Sequence, residues 1–144
     1  PIPSDLAAPT AAWCSARSER NPVSESGRDR FVMILIDGQP GNQIPADDRG
    51  LAYGDGVFRT LPLRGGIAPL WDRHYSKLAG DCRALGITPP AEQDLRTDLA
   101  RIAGKHPDCA IRITVTRGSG GRGYAMPEAA QARRIVSASP LPDY

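Results

Sequence analysis

From Phe31 onward the apolar side chains follow two rhythms, and the rhythms predict the elements. Phe31–Ile36 is a β-rich apolar run closed by Asp37-Gly38, a dipeptide that favours a tight hairpin turn. Val57–Leu63 predicts a second strand, Arg64-Gly65-Gly66 its turn and Ile67–Leu70 the returning strand. Pro62 cannot donate to a ladder, so Val57–Leu63 is assigned to a sheet edge. Trp71, Tyr75, Leu78, Cys82 and Leu85 then recur every three or four residues, the stripe of an amphipathic helix. Asp72 is its expected N-cap and Gly86 its left-handed stop. Thr88-Pro89 predicts the opening of a second helix, a cap followed by proline at the first helical position. Leu95, Leu99 and Ile102 stripe that helix as far as Gly104. Cys109–Arg117 alternates strictly, with Ile111, Ile113 and Val115 on one side and Arg112, Thr114 and Thr116 on the other, as in a half-buried strand. A glycine-rich loop over 118–127 and a last strand over Arg134–Ser139 follow. Strand pairs with two helices striped on one side predict an α+β two-layer sandwich, a mainly antiparallel sheet carrying two helices on one face.

Upstream of Phe31 neither rhythm is present. Pro1–Arg30 carries Ser, Ala, Pro and Arg, with Trp13 and Val23 isolated, and it lacks the apolar stretch of a secretory signal. Asp5, Glu19, Glu25 and Asp29 argue against a transit peptide. Residues 1–32 are therefore expected to be a disordered or non-native extension, with the working domain, 33–144, opening at Met33. Pro140-Leu141-Pro142 near its end has the character of a linker.

Composition narrows the classes further. The 144 residues give room for one ordinary domain. Lys+Arg 18 against Asp+Glu 16 leaves +2, too near balance for electrostatically driven nucleic-acid binding. No apolar run approaches the roughly 18–20 residues of a membrane span. Cys14, Cys82 and Cys109 are odd in number and widely spaced, which fits a reducing compartment and offers no metal-ligand spacing. The expectation is a soluble, cytoplasmic chain without a metal, a nucleic-acid partner or a membrane.

Two glycine-bearing segments carry the candidate chemistry. Arg117-Gly118-Ser119-Gly120-Gly121-Arg122-Gly123-Tyr124 puts four glycines and two arginines directly after a strand. Converging backbone N–H groups there could form an anion-binding nest, with Arg117 and Arg122 adding bidentate recognition of carboxylate or phosphate. A flexible hairpin loop with solvated arginines has the same composition. The segment is neither a P-loop, since Gly-Lys-Ser/Thr is missing, nor a dinucleotide fingerprint. The other segment is Asp48-Arg49-Gly50-Leu51-Ala52-Tyr53-Gly54-Asp55-Gly56-Val57-Phe58.

That second segment resembles the N-terminal signature of the class IV aminotransferases, the fold-type IV pyridoxal-phosphate enzymes. The Arg117–Tyr124 run and the opening Met33-Ile34-Leu35-Ile36-Asp37-Gly38 resemble the 4-amino-4-deoxychorismate lyases of that group. The resemblance implies the family's small N-terminal domain, a pyridoxal 5'-phosphate cofactor, a small dicarboxylate substrate and a homodimer when complete. It also implies that the Schiff-base lysine lies in a large domain beyond Tyr144, so no catalytic residue is expected in this chain and the chain alone is expected to be inactive. His74-Tyr75-Ser76-Lys77-Leu78 stands where the family has His-x-x-Arg-Leu, so Lys77 would hold the cofactor phosphate as a point charge, without the arginine fork. Tyr53 and Phe58 match pocket-lining positions, and Arg117, Arg122 and Tyr124 would meet substrate. Tyr53 and Phe58 could equally be core aromatics, Lys77 a solvated helix lysine, His74 a packing residue and Asp55 a brace for its turn. An amino-acid aminotransferase and a non-catalytic interaction domain are the alternatives to a lyase.

Overall fold

A computed structural model describes residues 31–142; the extension expected over 1–32 falls outside it as far as residue 30, as does Cys14. Five strands form one antiparallel sheet: β1 (Met33–Ile36), β2 (Gln39–Pro40), β3 (Gly56–Leu63), β4 (Cys109–Thr116) and β5 (Arg133–Ser139). Their spatial order is β2-β1-β5-β4-β3, so the proline-bearing β3 does take an edge. The helices are α1 (Arg49–Tyr53), α2 (Trp71–Ala84) and α3 (Glu92–Ala103). Asp37 and Gly38 both have positive φ, 50° and 81°, and close the β1–β2 hairpin as an Asp-Gly pair should. Val32 extends the ladder by donating its N–H to the Ala138 carbonyl.

The register sorts the sheet into two faces. Leu61 opposes Ile111, which opposes Ala138; Arg59 opposes Ile113, which opposes Val136, which opposes Leu35. This face is buried against Leu78 and Cys82 of α2 and Leu95, Leu99 and Ile102 of α3, giving one apolar core. Each fully buried leucine or isoleucine there contributes about 1.5–3 kcal/mol. The α+β sandwich with two helices on one face is thus the observed architecture. The two helices are stapled by Trp71, whose Nε1–H donates to Glu92 Oε1 (2.9 Å), and by Tyr75, whose hydroxyl donates to the Pro90 carbonyl (3.1 Å).

Several expected boundaries are corrected. Ile67–Leu70 is not a strand: only Arg64 and Ile67 pair, Pro69 has no N–H to offer, and Leu70 turns left-handed (φ 56°) to open α2. Leu70, not Asp72, is therefore the N-cap, and Asp72 lies in the first turn. Helix α3 does not begin at Thr88-Pro89 but after Ala91, because Pro90 disfavours helical φ/ψ at Pro89 and the chain turns helical only beyond both prolines. Leu85 leaves the α2 stripe and is exposed, since the helix ends at Ala84 and the chain reverses at Gly86 (φ 65°). The short helix α1 has no counterpart among the expected elements.

Candidate functional site

Among the described residues the opposite face of the sheet carries no long helix, and it holds Phe58, Thr60, Arg112, Thr114 and Ile135. Phe58 and Thr114 are register partners, and Arg112 sits one step along the same face. Phe58 is 54% exposed, and the Arg112 guanidinium lies 4.0 Å from its ring centroid. An arginine over an aromatic face is electrostatically favoured and leaves its donors pointing outward. Together with Leu51, Gly54, Gly56 and Ile135 this pair lines a cleft of about 370 Å³. Arg112 is a site residue that the sequence reading assigned only to the polar side of a strand. The alternation had already put it on the face of Thr114; only the β3–β4 register brings Phe58 alongside.

One side of the cleft is built by Gly50, Leu51 and Gly54 at α1, and the start of the glycine-rich loop is tied to that helix. Asp48 is wholly buried: Oδ1 accepts from the Gly50 N–H (2.8 Å), capping α1, and Oδ2 accepts from the Thr116 hydroxyl (3.0 Å). Thr116 Oγ1 in turn accepts from the Gly118 N–H (3.1 Å), and the Arg49 N–H donates to the Gly118 carbonyl (2.9 Å). Gly118 has φ 87°, and a Cβ there would overlap the Gln131 carbonyl oxygen, so this glycine serves close backbone approach between the two ends of the loop.

Asp55 ties the same pieces together. Its Oδ2 accepts from Arg49 Nε (2.9 Å) and Arg117 Nε (2.7 Å), and its Oδ1 from Arg117 Nη2 (3.1 Å). Arg117 also donates to the Leu85 and Gly86 carbonyls (2.7 and 3.0 Å) at the end of α2. The Arg117 hydrogen bond holds the Asp55 carboxyl below its ordinary pKa; burial opposes this, and the Arg49 hydrogen bond adds to the lowering. Arg49 reaches on to the Gly123 carbonyl (3.1 Å), with its guanidinium 4.7 Å from the Tyr53 ring centroid. The Tyr53 hydroxyl accepts from the Gly123 N–H (3.0 Å), and the Tyr53 and Tyr124 rings lie 5.6 Å apart.

The expected site residues thus separate into three places. Tyr53, Tyr124 and the Gly123 backbone gather where the glycine-rich loop meets the end of α1, and Phe58 lies in the cleft. Arg117 is 7% exposed, with its guanidinium engaged by Asp55 and two carbonyls, while Arg122 is exposed on the loop. Lys77 lies on the solvent side of α2, where its Nζ is 2.7 Å from Asp81 Oδ1. The hollow beside Lys77 is lined by Asp72, Arg73, Ser76, Gly80 and Asp81 and by neither loop arginine. The reason is local: α2 turns Lys77 outward, and Asp55 draws Arg117 beneath the helix end.

Asp81 has a second cation, Arg59, whose Nη2 donates to Oδ2 while its Nε is buried with no partner among the described residues. The Lys77 hydrogen bond holds the Asp81 carboxyl below its ordinary pKa; partial burial opposes this and Arg59 adds to the lowering. An anionic group such as the phosphate of pyridoxal 5'-phosphate therefore fits the donor set here, a partly exposed ammonium beside an incompletely satisfied guanidinium. His74 and His106 are half-buried, on α2 and in the α3–β4 connection. Among the described residues no cluster of His, Cys, Asp and Glu could hold a metal, and no helix is long and apolar enough to cross a membrane.

The chain is similar in sequence and fold to named proteins. An aminodeoxychorismate lyase of Vibrio harveyi is 35% identical over 96 residues, 65% of this chain and 34% of that protein. A putative branched-chain-amino-acid aminotransferase of Methanocaldococcus jannaschii is 29% identical over 99 residues, 66% of this chain and 34% of its own. The crystal structure of 4-amino-4-deoxychorismate lyase from Pseudomonas aeruginosa superposes with a TM-score of 0.71 and 44% identity, covering 78% of this chain and 41% of that one. The chain spans about a third of the length of the curated relatives it matches. Residues 56–144, more than half of the chain, match the sequence profile described as amino-transferase class IV, and the chain belongs to that family.

Proposed function

We propose that residues 33–144 are the small N-terminal domain of a pyridoxal-phosphate-dependent 4-amino-4-deoxychorismate lyase, which releases 4-aminobenzoate and pyruvate on the route to folate. The observation that carries this reading is the cleft over Phe58, an exposed guanidinium on an aromatic floor bordered by α1, whose Arg49 and Tyr53 hold the glycine-rich loop. The likeness to two lyases supports it. The complete protein would be a cytoplasmic homodimer whose Schiff-base lysine lies beyond Tyr144.

When bound, pyridoxal phosphate supplies an aldehyde for the substrate amine and a ring that accepts the electron pair released at carbon. The residues of this chain do the rest of the holding. Lys77 offers charge to the phosphate. Phe58 walls the substrate ring, and Arg112 in the cleft and Arg122, exposed on the loop, take its two carboxylates. Tyr53 and Tyr124 close the rim against water. Arg117 acts on this site through the loop it anchors.

The test joins this chain to the remaining roughly two thirds of the Vibrio harveyi lyase and measures 4-aminobenzoate and pyruvate release. Turnover that falls by at least about tenfold in the Arg112→Gln form supports the reading, since one charge-assisted contact to substrate is lost. The second reading, an amino-acid aminotransferase, rests on the Methanocaldococcus jannaschii relative. Transamination of D-alanine or branched-chain amino acids with 2-oxoglutarate, without 4-aminobenzoate release, would favour it.

A further inference from the structure

Lys77 and Arg59 reach Asp81 from different elements, one from helix α2 and one from the edge strand β3. They take separate oxygens of the same carboxylate, Nζ on Oδ1 and Nη2 on Oδ2. The carboxylate is thus a bridging anion between an ammonium and a guanidinium. A phosphate monoester presents a similar pair of oxygens and brings a second negative charge. The cluster of two cations and one carboxylate has a net charge of +1, so it favours an added anion, and the buried Arg59 Nε has no hydrogen-bond acceptor among the described residues. Lys77 is two-thirds exposed and Arg59 about one quarter, so the ammonium side is open to solvent beside Ser76 and Gly80.

We propose that Arg59 is the second half of the phosphate grip, and that Asp81 occupies the grip as an internal stand-in until a phosphate monoester displaces it. The proposal rests on the cofactor reading above and extends it by naming the guanidinium that the His74–Leu78 motif lacks. Arg59 restores with Lys77 the divided positive charge that a single arginine fork would supply. Asp81 keeps the two cations converged while the site is free and competes with the ligand for them.

The competition gives the proposal a sign that a merely structural ion pair does not share. The isotope-labelled 144-residue chain is titrated with inorganic phosphate and with pyridoxamine 5'-phosphate, with pyridoxamine as the unphosphorylated probe. The Arg59 Nε–H and Gly80 amide resonances should move saturably with both phosphates and stay in place with pyridoxamine. Arg59→Gln and Lys77→Gln should each weaken binding by about tenfold, the size of one charge-assisted hydrogen bond. Asp81→Asn should tighten it several-fold by removing the internal competitor, and Lys77→Arg should retain it. Binding unchanged by Arg59→Gln, or weakened by Asp81→Asn, overturns the proposal, as does the absence of any saturable shift. Each variant's melting curve reports its folding separately. Lyase turnover plays no part in these readouts, so the grip and the proposed reaction can fail independently.

Discussion

Asp55→Asn isolates the interaction on which the rim of the cleft depends. The carboxylate accepts three hydrogen bonds from Arg49 and Arg117, which are 3% and 7% exposed. Asparagine keeps the shape but leaves two nearly buried guanidinium groups without a counter-charge. Removing one partner of a buried ion pair costs about 3–5 kcal/mol. The lower end applies, because Arg117 keeps the Leu85 and Gly86 carbonyls, Arg49 keeps that of Gly123, and the Asp55 side chain retains some exposure. The expected loss is about 3 kcal/mol, a fall in Tm of roughly 10–20 °C for a domain of this size. Urea unfolding at pH 7, followed by far-ultraviolet circular dichroism, measures it. Acid gives an internal check. The folded pKa of Asp55 lies below the ordinary 3.8, so its contribution is fully present above that value and disappears as pH falls through the folded one. The gap between wild type and Asp55→Asn should therefore close on acidification below about pH 4. A loss under about 1 kcal/mol at pH 7, or a gap that persists to about pH 2, would refute the claim that this carboxylate holds the loop to the sheet.

Three further outcomes follow from the same geometry. Gly118→Ala should destabilise by more than about 1 kcal/mol in thermal melts, because the new Cβ meets the Gln131 carbonyl at a left-handed backbone position; a neutral substitution would mean the loop ends move apart freely. Leu78→Ala removes a side chain only 1% exposed between α2 and the sheet and should cost about 2–5 kcal/mol in urea unfolding. Phe58→Ala should change stability by no more than about 0.5 kcal/mol, since the ring is mostly exposed, yet raise KM in the joined lyase.

What the sequence made legible follows from how far each signal reaches along the chain. The stripes Trp71–Cys82 and Leu95–Ile102, the alternation of Ile111, Ile113 and Val115 and the Asp37-Gly38 turn are local, and each became the element it predicts. Pro62 announced an edge strand for the same reason. The corrections arose where two local signals competed. At Thr88–Ala91 a cap-like threonine met two successive prolines, and the prolines delayed the helix. At Ile67–Leu70 an apolar run met Pro69 and a left-handed Leu70. The site was less legible because its contacts are long-range. Asp48 to Thr116 spans 68 residues and Asp55 to Arg117 spans 62, and neither pairing leaves a periodic trace. The pairing of Arg59 with Asp81, 22 residues apart, leaves none either.

The fate of the two conspicuous arginines shows how burial reassigns roles that composition suggests. Arg117 and Arg122 carry the same charge in the same loop, yet only Arg117 has Asp55 within reach, and its guanidinium commits four of five N–H donors to that carboxylate and two carbonyls. Freeing it would leave the Leu85 and Gly86 carbonyls without their donor and Asp55 with Arg49 alone, which costs more than one substrate contact returns. Arg112 faces no such competition: its neighbour is the Phe58 ring, which attracts the cation without consuming hydrogen-bond donors. The cation suited to an incoming carboxylate is therefore the one that strand alternation leaves on an aromatic floor, while the glycine-rich loop supplies the frame. Substituting Arg117 should consequently lower Tm together with activity, whereas substituting Arg112 should lower activity at an unchanged Tm; an Arg112→Gln form that melts early while binding substrate normally would reverse the assignment.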